Sequence, residues 1–168
     1  MLPRVVLFNE VSVDGRIDGF NVDMGRYYRL AARWEADATL AGSNTLLNAY
    51  GPEESLEEDD AEFEPPSRDP EDSRLLLIIP DSRGRLRSWH RLRQEPYWRD
   101  VIALCSRSTP QGALEYLRAR HVETIVAGAE RVDLRAALEE LNARHGLSLI
   151  HISEPTRLKT RSRMPSSA

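Results

Sequence analysis

Asn9, Glu10, Ser12 and Asp14 follow directly on Val5-Val6-Leu7-Phe8, an apolar run that opens with two β-branched residues. Such a run reads as a strand buried on both faces, of the kind found inside a parallel sheet. Its polar continuation ends at Asp14-Gly15, a turn signal, because Gly tolerates positive φ and Asp can bond the backbone ahead of it. A strand that hands Asn, Ser and Asp to its end places polar groups at the rim of a sheet, where ligands of open α/β sheets sit. Two further junctions have the chemistry to hold an anion. Ala41-Gly42-Ser43-Asn44-Thr45 runs from a short apolar strand into a helix start, with two hydroxyls beside free backbone N–H groups. Ala127-Gly128-Ala129 is a second, with less polar company. Each glycine fits a tight turn equally well, and Ser43 fits a plain helix cap.

The remaining residue types point away from covalent and metal chemistry. No G-x-S-x-G elbow and no G-x-G-x-x-G fingerprint are present. His90, His121, His145 and His151 stand at no metal-ligand spacing, so structural roles and no metal are expected. The single Cys105 excludes an internal disulfide and a multi-cysteine zinc site, and reads as a small core residue. A formal charge of −4 and the lack of basic patches interleaved with aromatics give no call for nucleic acid. No apolar run approaches the roughly 18 residues of a membrane helix. With no leader before the first strand, a cytoplasmic location is expected.

The elements that must position these groups alternate. Asp23 caps a helix whose apolar positions Met24, Tyr27, Tyr28, Ala31 and Trp34 recur at helical spacing. Asp37 to Gly42 is a short buried strand ending in Gly, and Ser43 to about Tyr50 a helix stopped by Gly51-Pro52. Leu75 to Ile79 is the strongest strand signal. Val101 to Leu104, Val122 to Gly128 and Leu147 to Ile152 are further strands. Ser108-Thr109-Pro110 starts one helix, with Leu114 and Leu117 inward. Asp133 caps another, which Gly146 ends. The order predicts a single α/β domain with a mainly parallel sheet. Between them, Glu53 to Asp72 carries eleven acids against Arg68 alone, and Glu53 to Ser73 reads as a solvated acidic insertion dispensable for folding.

Taken together, Asn9-x-x-Ser12-x-Asp14-Gly15-Arg16-Ile17, Arg33-x-x-x-Asp37-Ala38-x-Leu40-x-Gly42-x-x-Thr45, Ile79-x-Asp81-Ser82-Arg83-Gly84 and Ile125-Val126-Ala127-Gly128 resemble the reductase domain of riboflavin biosynthesis. The resemblance runs from Arg4 to about Gly146. It implies the three-layer dihydrofolate-reductase-like fold, NADPH as cofactor and a small-molecule substrate: a diaminopyrimidinone with a ribosylamino 5′-phosphate, whose ribose is reduced to ribityl. It implies a homodimer for complete members. By position, Glu10 meets the cofactor through its backbone, and Gly42, Thr45, Ser82 and Gly128 contact it. Arg33 takes the substrate side, and Asn9, Ser12 and Asp14 line the reacting centre. Where members often carry Asp four residues after the Thr, Ala49 stands. Hydride transfer leaves the hard step to the cofactor, so no nucleophile set is required. A pterin reductase of the same fold and a non-catalytic α/β binding module are the alternatives.

From Leu149-Ile150-His151-Ile152-Ser153-Glu154-Pro155-Thr156-Arg157 onward the chain resembles translated sequencing-adapter read-through joined to a shortened reading frame. Residues 153–168 are basic, Ser/Pro/Arg-rich and without period, and read as a disordered tail. The family continues instead with a Gly-Gly turn at the cofactor pyrophosphate and further strands. The expectation is therefore a partial domain over residues 1–152, incomplete at its C-terminus and inactive, whose last strand leaves an apolar edge open.

Overall fold

The computed structural model describes residues 1–16, 19–21, 23–50, 60–67, 69 and 71–152. Expectations for Ile17, residues 51–59, the 153–168 tail and the side chains of Met24 and Tyr28 lie outside that part. Six strands form one sheet in the order β1-β6-β2-β3-β4-β5. They are β1 (Arg4–Leu7), β2 (Ala38–Leu40), β3 (Leu75–Pro80), β4 (Trp98–Cys105), β5 (Glu123–Val126) and β6 (Leu149–Ile152). All neighbours pair in parallel. A parallel pair needs a crossover, and a helix supplies each: α1 (Met24–Ala31), α2 (Ser43–Tyr50), α3 (Trp89–Gln94), α4 (Gln111–Ala119) and α5 (Leu134–His145).

The sheet is the middle of three layers. Leu77, Ile79, Val101, Ala103 and Cys105 face one side, where they meet Leu46 of α2, Trp89 and Leu92 of α3 and Leu117 of α4. Leu76, Ile78, Ile102, Leu104 and Ile150 face the other, under Ala137 and Leu141 of α5. The near-continuous apolar strands β3 and β4 follow from burial on both faces. The expected caps form: Asp23 Oδ1 accepts the Arg26 N–H at 2.9 Å, and Asp133 Oδ1 the Ala136 N–H at 3.1 Å. Gly146 ends α5 in the left-handed conformation, with φ of 65°. No helix among the described residues is long and apolar enough to cross a membrane.

Four expectations need correction. Among the described residues β1 is an edge strand, not one buried on both faces: Val5 is 41% and Leu7 65% exposed. β6 is no open edge, since it is seated between β1 and β2. α3 lies in a stretch with no assigned helix, and its crossover makes β3 and β4 parallel. Ser108-Thr109-Pro110 ends one residue before α4, and its hydroxyls bond elsewhere: Ser108 to Glu130 O and Thr109 to Ser82 O.

Part of the acidic insertion is packed. Asp60–Phe63 forms a 3-10 turn that docks where α4 ends. Glu62 Oε2 meets Arg120 Nε at 2.8 Å, with the two side chains only 13% and 4% exposed. The Arg120 guanidinium lies over the Tyr116 ring at 3.6 Å and the Phe63 ring at 4.7 Å. His121 Nε2 reaches Phe63 O at 3.1 Å. The insertion is therefore not solvated throughout: it supplies a desolvated ion pair and a stacked ring to a buried arginine.

Candidate functional site

Because every strand is parallel, all carboxyl ends fall on one edge of the sheet. That edge gathers Phe8 to Glu10 after β1, Ala41 to Thr45 after β2, Asp81 and Ser82 after β3, Ser106 after β4, and Ala127 and Gly128 after β5. With neighbouring strands about 4.8 Å apart, the Gly42 and Ser82 junctions adjoin, and the ends of β1 and β5 lie about 24 Å apart. The edge therefore suits an extended ligand more than a compact one.

At the β2 junction the helix begins on Ser43, and Gly42 holds the cap position, not Ser43. The Gly42 carbonyl accepts the N–H groups of Thr45 at 3.0 Å and Leu46 at 3.3 Å. The N–H groups of Ser43 and Asn44 precede the first intrahelical bonds, so this end offers donors and a positive dipole to an anion. Asn44 Oδ1 accepts from Arg85 Nη2, which ties the start of α2 to the loop after β3.

The β3 end is a rigid knot. Asp81 is 3% exposed, and its Oδ2 accepts the Leu86 N–H at 2.8 Å. Its Oδ1 is buried with no hydrogen-bond partner among the described residues. Ser82 Oγ accepts the Val132 N–H at 3.0 Å, and Ser82 O accepts the Thr109 hydroxyl at 2.9 Å, so Ser82 joins the loops after β3, β4 and β5. Beneath the knot, burial pushes the Cys105 thiol up to about 11. The Asp81 charge adds to that rise, and the Thr109 hydroxyl opposes both. Cys105 is thus a protonated core group and no nucleophile.

Gly128 has φ of +88°, and a Cβ there would lie 2.2 Å from Arg131 O. The chain's own loop therefore accounts for this glycine, without any ligand. At the other end Ser12 Oγ donates to Asp14 Oδ1 at 2.5 Å and accepts the Arg16 N–H at 2.9 Å, while Asp14 pairs with Arg16 at 2.9 Å. Asn9, Glu10 and Ser12 are half-buried and Asp14 exposed. Arg33 does not join the others. It sits exposed in the 3-10 turn Ala32–Trp34 just before β2, at the opposite, amino-terminal edge.

Sequence reasoning gave no role to the arginines of the carboxyl edge. Arg83, Arg85, Arg107 and Arg131 all stand exposed on the loops after β3, β4 and β5. Each was readable as a basic residue following a strand, but only the strand order gathers them. Among the described residues no group of three or more His, Cys, Asp or Glu could hold a metal ion.

No protein-family profile and no curated protein matches the chain. Solved structures do. A pyrimidine reductase-like protein from Corynebacterium diphtheriae superposes with a TM-score of 0.59 at 18% identity, over 90% of this chain and 65% of its own. The riboflavin biosynthesis reductase Rib7 of Saccharomyces cerevisiae gives 0.58 at 17%, over 91% and 63%. RibD from Acinetobacter baumannii gives 0.54 at 17%, over 91% and 40%. The chain thus has the α/β fold of these reductases and spans less than two thirds of the length of each.

Proposed function

We propose that the carboxyl edge binds NADPH, and that the chain is built for the riboflavin-type reduction of a ribosylamino-pyrimidine phosphate to its ribityl form. The observation that carries this reading is the union of a helix start bearing Thr45 with Arg85 and the Ser82 knot on adjacent strands. The donor set fits a phosphorylated dinucleotide. Unspent N–H groups at α2 suit a pyrophosphate, and exposed arginines beside Ser82 suit an additional phosphate. The buried Asp81 Oδ1, which lacks a donor, fits a hydroxyl or amine brought close.

When bound, the nicotinamide supplies the hydride. The protein's part is position and electrostatics. Thr45 and the α2 N-terminus hold the phosphates, Ser82 and Arg85 the adenosine side, and Gly42 and Glu10 approach through backbone. Asn9, Ser12 and Asp14 orient the reacting group from the β1 end. Gly128 serves by shaping the loop that backs Ser82. Arg33, on the other edge, has no part in cofactor binding in this reading.

The 168-residue chain itself is proposed to bind NADPH weakly and not to turn over. The resemblance places a Gly-Gly turn after the last strand, and Ser153-Glu154-Pro155-Thr156 stands there, with no glycine after Gly146. A misplacement near 1 Å can cost about 100-fold. The test grafts the segment after Gly146 from one of the structural neighbours and follows nicotinamide oxidation. Oxidation of NADPH with the ribosylamino-pyrimidine phosphate, and none with dihydrofolate, is expected. Consumption of dihydrofolate would make it a pterin reductase, and failure of the graft to bind any nicotinamide cofactor would leave a non-catalytic module.

A further inference from the structure

We propose that the acidic insertion positions the loop that follows β3 at the carboxyl edge, acting through Arg120, Tyr116 and Arg87. The path begins at the 3-10 turn Asp60–Phe63. Glu62 Oε2 accepts from Arg120 Nε at 2.8 Å, and the Arg120 guanidinium lies 3.6 Å from the centre of the Tyr116 ring. A second cation uses that ring: the Arg87 guanidinium stands 4.7 Å from the same centre. The Tyr116 hydroxyl also donates to Arg87 O at 2.6 Å. Arg87 in turn closes the loop on itself, since its Nη1 donates to Gly84 O at 2.7 Å and to Leu86 O at 3.0 Å. The Leu86 N–H donates to Asp81 Oδ2 at 2.8 Å. Gly84 has φ of +60°, and a Cβ there would lie 2.3 Å from the Cβ of Ala113 in α4. The loop that carries Ser82, Arg83 and Arg85 is thus clamped to α4, and the insertion holds Arg120, the residue that ends α4.

Charge makes the two ends of this path interdependent. Each guanidinium is attracted to the Tyr116 ring, and the two repel each other. Glu62 offsets that repulsion where water screens little, because its side chain and that of Arg120 are both nearly buried. Without the carboxylate the repulsion falls on Arg87, which is half-buried where Arg120 is buried and has more room to move. Arg87 then loosens its hold on Gly84 O and Leu86 O. The loop behind Ser82 and Arg85 slackens, and with it the link from Arg85 to Asn44 at the start of α2. A docked turn on one side of the molecule therefore sets the order of a loop on the other, by contacts that are continuous from Glu62 to Leu86.

Native-state amide exchange on the 168-residue chain tests this. Glu62→Gln removes the charge and keeps the shape. Asp37→Ala is the control, since Asp37 seats β6 and touches no residue of the path. The Gly84 and Leu86 amides should exchange roughly fivefold faster in Glu62→Gln than in Asp37→Ala. Tyr116→Phe keeps the ring and removes the bond to Arg87 O, and it should act in the same direction. The double variant should fall short of the product of the two single effects, as expected for residues in one network. Exchange that is equally fast in Glu62→Gln and Asp37→Ala, or unaltered by Glu62→Gln, would overturn the proposal. The consequence for a ligand rests on the cofactor reading: Glu62→Gln should weaken NADPH binding by roughly fivefold and Asp37→Ala should leave it unchanged. An NADPH affinity that Glu62→Gln does not alter would also overturn the proposal. A parent chain that binds no NADPH would contradict the cofactor reading alone, and the exchange of Gly84 and Leu86 would then decide the positioning by itself.

Discussion

Asp37 and Ser148, 111 positions apart, are bonded twice: Asp37 Oδ2 accepts the Ser148 N–H at 2.6 Å and the Ser148 hydroxyl at 2.9 Å. The same oxygen accepts the Leu149 N–H at 2.8 Å, while the Asp37 N–H donates to Leu149 O at 2.8 Å. One carboxylate at the start of β2 therefore seats the start of β6 and fixes its register between β1 and β2. The residue lies in the stretch that resembles a reductase motif, yet its work is at the amino-terminal edge, far from the candidate site.

Asp37→Ala should lower stability by roughly 2–3 kcal/mol, as expected for hydrogen bonds to a charged acceptor. Burial pushes this carboxyl up, but the Leu149 and Ser148 hydrogen bonds, with the Arg99 charge, more than reverse it and hold it below the usual 3.8. Its contribution is therefore present above pH 4 and lost as pH falls through the folded value. Urea denaturation at pH 7 and pH 3 should show the gap between parent and variant shrinking at the lower pH.

The Glu62–Arg120 pair ties the acidic insertion to the end of α4. Glu62→Ala should cost roughly 3 kcal/mol, because it removes one partner of a desolvated ion pair. Replacing residues 53–73 with a Gly/Ser linker should lower the melting midpoint by a similar amount. An unchanged midpoint for the linker variant would contradict the docking.

His151 is the misfit of the core. It is 5% exposed beside the rings of Phe8, at 5.7 Å, and Tyr27, at 6.3 Å, and its Nε2 has no partner among the described residues. Burial lowers its pKa below 6.5, and the bond to the Phe8 carbonyl opposes that only in part. The unfolded chain therefore binds the proton more readily. Stability should be full above pH 6.5 and fall as pH drops from there toward the folded value. His151→Val should remove that slope and raise stability at pH 7 by roughly 1 kcal/mol, read by denaturation at pH 5 and pH 7.5.

What the sequence disclosed was local. The caps at Asp23 and Asp133, the stop at Gly146 and the apolar runs of β3 and β4 are written in adjacent residues, and they form as read. α3 escaped because a six-residue helix holding only Trp89 and Leu92 in the core shows no helical period. The exposure of β1 escaped because Val5-Val6-Leu7-Phe8 has the composition of an interior strand, and only the strand order makes it an edge. Glu62 and Arg120 meet across 58 positions, beyond any reading of spacing. At the candidate site the strand-end glycines and hydroxyls were legible. The separation of Arg33 from Thr45 was legible too, since the strand read between them sets them at its opposite ends whichever way it runs.

The proposed NADPH site is tested most directly by amide chemical-shift mapping of the 168-residue chain during an NADPH titration into the millimolar range, where even weak binding would register. The amides of Ser43, Asn44, Thr45, Ser82, Arg83 and Arg85 should shift together, saturating about tenfold later in Thr45→Val and unchanged in Arg33→Ala. Arg33, His121 and Ser148 should stay still. An absence of shifts at millimolar NADPH, or shifts confined to that amino-terminal edge, would contradict the assignment of the carboxyl edge as the NADPH site.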